Sequence, residues 1–335
     1  MNSKKVNWIF LSIMLVHIGM VALVRQICMR FRIDLGIVPN LLLSQGMILA
    51  PALLGVLFSG ENLLKLAGFR KIKVSTVFKI LLFTFLSMPL MTLLNAISML
   101  FVDNTVAAMS GDVLGVPFPV MLFLIGIFGP CSEELVFRGI VYQGYKKTGT
   151  VFASMLLSAL LFALMHMNFN QAFYAMAVGV LVVLLVEATG SLWSSMLFHI
   201  FFNSQQVCTM YLYGGTEAGG LEEAQELLTT DMLLLVISFM LVVASAATAL
   251  AVCVLVWIAK GEQREYALRA VWTDRKKKKG LDETEKEEKE KIGENGEKKE
   301  STVRKNRMVT VPLIIGIVLA LSFMCLELVL TYLLS

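Results

Sequence analysis

Residues 118–144 read FPVMLFLIGIFGPCSEELVFRGIVYQG, and this stretch decides what kind of protein the chain is. It is long and apolar enough to cross a bilayer, which takes about 20 such residues in a helix. Yet it carries Glu133, Glu134 and Arg138. An ionisable group inside an apolar span costs about 2.5–3.5 kcal/mol on insertion scales, so each marks a site or a buried pair. Gly129-Pro130 loosens the helix just ahead of the acidic pair, and a kink with unpaired carbonyls is expected there. Glu134 and Arg138 are four apart, share a helix face and can form a salt bridge. Glu133 is turned about 100° from Glu134 and is left without that partner. One carboxylate is then structural, and the other is free to serve as a general base near neutral pH. The bland alternative is a single buried ion network of all three that fixes helix packing.

The rest of the chain has the same apolar character. Of its 335 residues, 57% are hydrophobic and 16% charged, and the mean hydropathy is +0.75. Soluble domains carry roughly 25% charged residues. On a ruler of about 20 residues per span, nine spans are predicted: 8–28, 37–59, 75–102, 118–144, 149–168, 171–189, 191–213, 232–259 and 309–334. The fold class is therefore all-α, a polytopic transmembrane bundle with a charged low-complexity loop. The expected organisation is N-terminal transmembrane helices over 1–116, a core over 117–213, an outer loop and eighth span over 214–259, the charged loop over 260–308, and a last span over 309–335. Gly60–Lys73 has mixed character and is expected along the interface.

Charge is concentrated in one place. Lys260 to Met308 holds 16 Lys and Arg against 12 Asp and Glu, which accounts for the whole net charge of +4. This excludes a soluble globular enzyme, a disordered chain and a nucleic-acid binder with a basic body. The 275–307 segment reads as a solvated linker, with Lys276–Lys279 able to meet anionic lipid. Five scattered cysteines give neither a disulfide framework nor a zinc cluster. The first apolar run, about 20 residues long and without a small-residue cleavage site, reads as a retained helix rather than a signal peptide. Lys and Arg in short loops favour the cytoplasm. Lys65, Arg70, Lys71, Lys73, Lys146, Lys147 and the 260–308 segment all fall on one side of a nine-span chain, so that side and the N-terminus are expected to be cytoplasmic in a cell membrane. Arg25, Arg30 and Arg32 disagree unless they sit at the opposite headgroups.

Two of the three histidines lie in apolar spans near polar partners. His166 follows Phe162 by four residues, and Asn203 follows His199 by four. The second pair shares a face, and an imidazole beside a carboxamide can donate two hydrogen bonds to one oxyanion. An intramembrane histidine is often only an interhelical hydrogen bond, but three spans each supplying such a group point to one centre. Other intramembrane polar residues read as structural. His17 and Glu327 are packing or hydrogen-bonding residues, Lys79 snorkels to a helix end, and Glu187 is interfacial. Cys131 lies on a different helical face from Glu133 and has no local histidine, which argues against a cysteine nucleophile.

In order along the chain, Glu133-Glu134-x-x-x-Arg138, Phe162-x-x-x-His166 and His199-x-x-x-Asn203 resemble the motifs EExxxR, FxxxH and HxxxN of the CPBP family of intramembrane proteases. That family is also called the type II CAAX prenyl-protease or Abi family. The resemblance covers about Pro117–Gln206. It implies an intramembrane endopeptidase that cuts a membrane-associated or lipid-proximal peptide. Glu133 would activate water with help from His166, and His199 and Asn203 would stabilise the oxyanion. Glu134 and Arg138 would hold the site together, with Phe162 packed beside it. Partners would be membrane lipid and a peptide or lipidated-protein substrate. Glu133, His166 and His199 also resemble a zinc set with an open position, although no HExxH is present. If His199 pairs with Asn203 it is not free to hold zinc, so a water activated by glutamate without an obligatory metal is favoured. The rival readings are a non-proteolytic membrane protein relaying protons or an ion, and a bacteriocin self-immunity role as in some family members.

Overall fold

The structure, a computed structural model, describes residues 1–214, 229–273 and 307–334, and every regular element among them is helical. In chain order these are α1 (Ser3–Phe31), α2 (Ile37–Phe58), α3 (Leu63–Ala67), α4 (Val74–Ser98), α5 (Thr105–Ala108), α6 (Ser110–Leu114) and α7 (Phe118–Lys146). There follow α8 (Val151–Met165), α9 (Phe169–Thr189), α10 (Leu192–Tyr213), α11 (Thr230–Gly261) and α12 (Val311–Leu334). Helix starts carry side-chain caps: Thr150 accepts from Ala153, Asn168 from Gln171 and Ser191 from Trp193, each at a backbone N–H.

All nine expected spans are helices, but seven are long and apolar enough to cross a membrane. The two exceptions have physical reasons. Helix α8 has 15 residues and rises about 22 Å, short of a hydrocarbon layer of about 30 Å. Helix α10 is long enough, but the polar stretch Asn203-Ser204-Gln205-Gln206 dilutes its hydropathy. The mixed segment before α4 forms only the five-residue α3, with Leu66 and Ala67 buried.

Close packing holds the bundle together. A methyl group added at Gly179 in α9 would meet Ala159 Cα of α8 at 2.8 Å, so the two backbones touch at a small-residue contact. The α9–α10 turn closes on Gly190 at φ 73°, a left-handed conformation that suits glycine.

The basic loops gather at one end of the molecule. There the Ser3 hydroxyl donates to the Arg307 carbonyl at 2.9 Å, and the Asn7 amide donates to Met308 O at 2.9 Å. Lys147 pairs with Glu61 at 3.7 Å, and Lys73 N–H donates to Glu262 at 3.2 Å. Lys79 sits with its Nζ 4.2 Å from the Trp257 ring centre, a cation–π contact. Glu187, expected at the interface, is buried within the protein: it is 2% exposed, accepts from the Tyr142 hydroxyl at 2.8 Å, and pairs with Lys146. Helix α1 has 29 residues, more than a span requires, and Arg25, Arg30 and its C-cap Arg32 are exposed toward its far end. Most of the expected outer loop 214–231 and of the charged segment 260–308 lies outside the described residues. The part within them, 265–273, is helical and buries Val271 against Tyr142 and Met155.

Candidate active site

Helix α7 builds the site by being irregular. It changes from α to π geometry at Leu122–Phe128, returns to α over Gly129–Glu134, and is π again over Leu135–Tyr142. Such π segments inside α-helices gather at functional sites. Pro130 has no N–H to donate to the preceding turn, where the carbonyls of Ile125 and Gly126 lie. Helix α10 supplies the missing donors: Asn203 Nδ2 donates to Ile125 O at 3.2 Å and Ser204 Oγ to Gly126 O at 3.3 Å. The expected unpaired carbonyls are therefore present, and they dock α10 against α7 at the level of the motif residues.

The expected ion pair forms. Arg138 Nη1 donates to Glu134 Oε1 at 2.8 Å, and neither side chain is exposed. Arg138 Nε and Nη2 make no hydrogen bond among the described residues, but the guanidinium lies 4.1 Å from the Phe162 ring centre. Phe162 thus stacks against the cation and also meets both histidines edge-on, at 4.9 Å from His166 and 5.8 Å from His199. A ring face over a desolvated guanidinium contributes about 2 kcal/mol.

His199 bridges the two glutamates. Its Nδ1 lies 2.9 Å from Glu134 Oε1, and its Nε2 lies 3.8 Å from Glu133 Oε2. The first contact places a proton on Nδ1, because the carboxylate accepts. Glu133 makes no bond to Arg138, as expected from the helix phase. His166 ends α8 as its C-cap, and its Nδ1 donates to Phe162 O at 2.9 Å, which leaves Nε2 as the acceptor in the neutral ring. The backbone then turns through Met167, at φ 55°, into Asn168.

Glu133, His166, His199 and Asn203 all line one cavity of about 350 Å³, within the range of about 300–1,000 Å³ typical of ligand sites. Two wall residues were not assigned to the site from sequence. Gln45 of α2 donates from Nε2 to Glu133 Oε1 at 3.3 Å. His17 of α1, read as structural, also lines the cavity, so all three histidines of the chain meet there. Thr105, Val106 and Met109 cover the cavity from the segment after α4. Thr105 is tied to the α8–α9 hairpin through Asn170 and Asn168 at 3.3 and 3.4 Å.

No group of three or more His, Cys, Asp or Glu side chains among the described residues is spaced to hold a metal ion, so Glu133, His166 and His199 share a cavity without forming such a set.

The fold and this cluster define a helical membrane protein with a glutamate–histidine centre inside its bundle. Residues 115–205 match the family model described as type II CAAX prenyl endopeptidase Rce1-like. Over 87 residues the chain is 30% identical to the Bacillus subtilis (strain 168) protein named "Putative membrane peptidase YdiL", an overlap of 26% of this chain and 35% of that protein. These matches support a CPBP-like segment over residues 115–205, the stretch that carries Glu133, Glu134, Arg138, Phe162, His166, His199 and Asn203. The overlap spans about a third of the length of that relative. No solved structure matches the chain.

Proposed function

We propose that the chain is an intramembrane endopeptidase of the CAAX type, with Glu133 as the base that activates water. The observation that carries this reading is the convergence of Glu133, His166, His199 and Asn203 on one cavity inside an apolar bundle. Glu133 Oε2 takes a proton from water as the water oxygen bonds to the scissile carbonyl carbon. The acceptor Nε2 of His166 holds that water in place. Charge then develops on the carbonyl oxygen. His199 meets it through Nε2, with Nδ1 held on the Glu134 carboxylate. Asn203 offers its second amide N–H, the first being spent on Ile125 O. When the tetrahedral intermediate collapses, the C–N bond breaks and Glu133 returns the proton to the departing nitrogen.

The substrate class proposed is a membrane-associated or lipid-proximal peptide, since the centre lies among membrane-spanning helices. The basic end of the bundle and the N-terminus are proposed to be cytoplasmic in a cell membrane. A cysteine placed at Lys147 should be labelled by an impermeant maleimide from the cytoplasmic side alone; labelling from outside alone would reverse the orientation.

The test of the activity is cleavage of an internally quenched peptide by the purified protein in vesicles. Glu133→Gln and His199→Ala, each at unchanged membrane expression, should both abolish it. Persistence of cleavage in both would overturn the reading.

A further inference from the structure

We infer that Gln45, in the second helix and outside the family-matched segment, is a positioning residue that fixes which oxygen of Glu133 takes the proton. The inference rests on the reading of Glu133 as the base.

A glutamate carboxylate turns about its last torsion with little preference, because that torsion is broad and roughly two-fold. A base that must meet a water at one point therefore needs an external hold. Gln45 supplies one. Its Nε2 donates to Glu133 Oε1 at 3.3 Å, while the other oxygen, Oε2, is the one that faces His199 Nε2 at 3.8 Å. The amide can take only this sense, since the reverse would set Gln45 Oε1 against the carboxylate. One oxygen is pinned and the other is left for chemistry.

Two further observations support a dedicated role. Gln45 is only 9% exposed, and its buried Oε1 has no hydrogen-bond partner among the described residues. A buried amide half satisfied in an apolar helix is costly, and such groups call for a specific reason. The contact also occurs at the break in α7: a methyl group added at Gly129 would stand 3.6 Å from Gln45 Nε2. The amide from α2 thus lies beside the Gly129-Pro130 pair that precedes the acidic residues, at a distance that would be ordinary contact for a side chain there. The other charged or titratable groups around Glu133 are His199, His166, Arg138 and Tyr174, and none of them holds Oε1.

The test uses the full chain in lipid vesicles with an internally quenched peptide that the wild type cleaves. Gln45→Met keeps the size of the side chain and removes the donor. The expected result is a fall in kcat of about 10- to 100-fold, the worth of a hydrogen bond to a charged group, with KM and the thermal midpoint unchanged. Gln45→Leu serves if the methionine variant does not fold. A second measurement does not need cleavage. The infrared carboxylate band of Glu133, isolated by difference against Glu133→Gln, should shift when Gln45 is replaced. A folded variant with unaltered kcat and an unmoved band overturns the inference, as does a loss confined to KM or matched by a fall in thermal midpoint. If the wild type cleaves nothing while the band moves, the proteolytic reading fails and the hold of Gln45 on Glu133 stands.

Discussion

His199 Nδ1 and Glu134 Oε1 lie 2.9 Å apart, and the same Glu134 oxygen lies 2.8 Å from Arg138. One buried carboxylate therefore anchors both the histidine of α10 and the arginine of its own helix. Replacing Glu134 by Gln leaves the guanidinium buried without a counter-charge, a change that costs about 3–5 kcal/mol. Glu134→Gln should lower the thermal midpoint and the folded yield together with activity. Glu133→Gln should leave the midpoint nearly unchanged while abolishing cleavage. Thermal unfolding in detergent beside a peptide-cleavage assay separates the two. Equal loss of stability in both variants would contradict the division of roles within the pair.

Pro130 makes a prediction of the opposite kind. Pro130→Ala returns an N–H to α7, which then competes with Asn203 and Ser204 for the carbonyls of Ile125 and Gly126. The helix should be no less stable, because an interior proline is unfavourable. Asn203 should lose its orientation, and kcat should fall by about tenfold, equivalent to 1.36 kcal/mol. The check is steady-state kinetics alongside unfolding; kcat equal to wild type would show that the break does not orient Asn203.

At Gly179 the contact with Ala159 leaves no room for a methyl group. Gly179→Ala should force α8 and α9 apart at a cost of about 1–3 kcal/mol. Because His166 caps α8, the variant should lose activity beyond its loss of folded yield. Specific activity per folded molecule, measured after size-exclusion chromatography, is the relevant readout.

Removal of divalent metal by a chelator and dialysis should leave cleavage within about twofold of the untreated protein, since no metal-spaced group of donors is present among the described residues. Loss of activity restored by zinc would instead assign a metal to Glu133 and the two histidines.

Much of the site was legible in the sequence, because its signals are local. Glu134 and Arg138 declare a shared face by their spacing, and Pro130 declares freed carbonyls by its chemistry. What escaped was carried by contacts distant in sequence. Gln45 lies 88 residues from Glu133, and nothing in its own helix marks a partner. His17 stands alone on an apolar helix and gained meaning only when α1 met the cavity. His199 and Asn203 do share a face, but each already has a partner, Glu134 and Ile125 O, which spacing does not reveal. The partners of Glu187, Tyr142 and Lys146, lie 45 and 41 residues away, so its spacing along the chain does not reveal them. The count of nine spans came from apolar length alone, which cannot see that α8 stops at His166.

That early stop has a chemical consequence. A lipid interior is nearly anhydrous, and hydrolysis there lacks its second reactant. Helix α8 rises about 22 Å, about 8 Å less than a hydrocarbon layer of about 30 Å, and it ends in a polar turn at His166–Asn168. Asn168 keeps that turn soluble at depth by donating to His166 O at 3.0 Å and accepting from Gln171 N–H at 2.8 Å. A helix of this length that ends in a polar turn beside the cavity would leave bulk solvent a shorter path to the glutamate than a full-length span would.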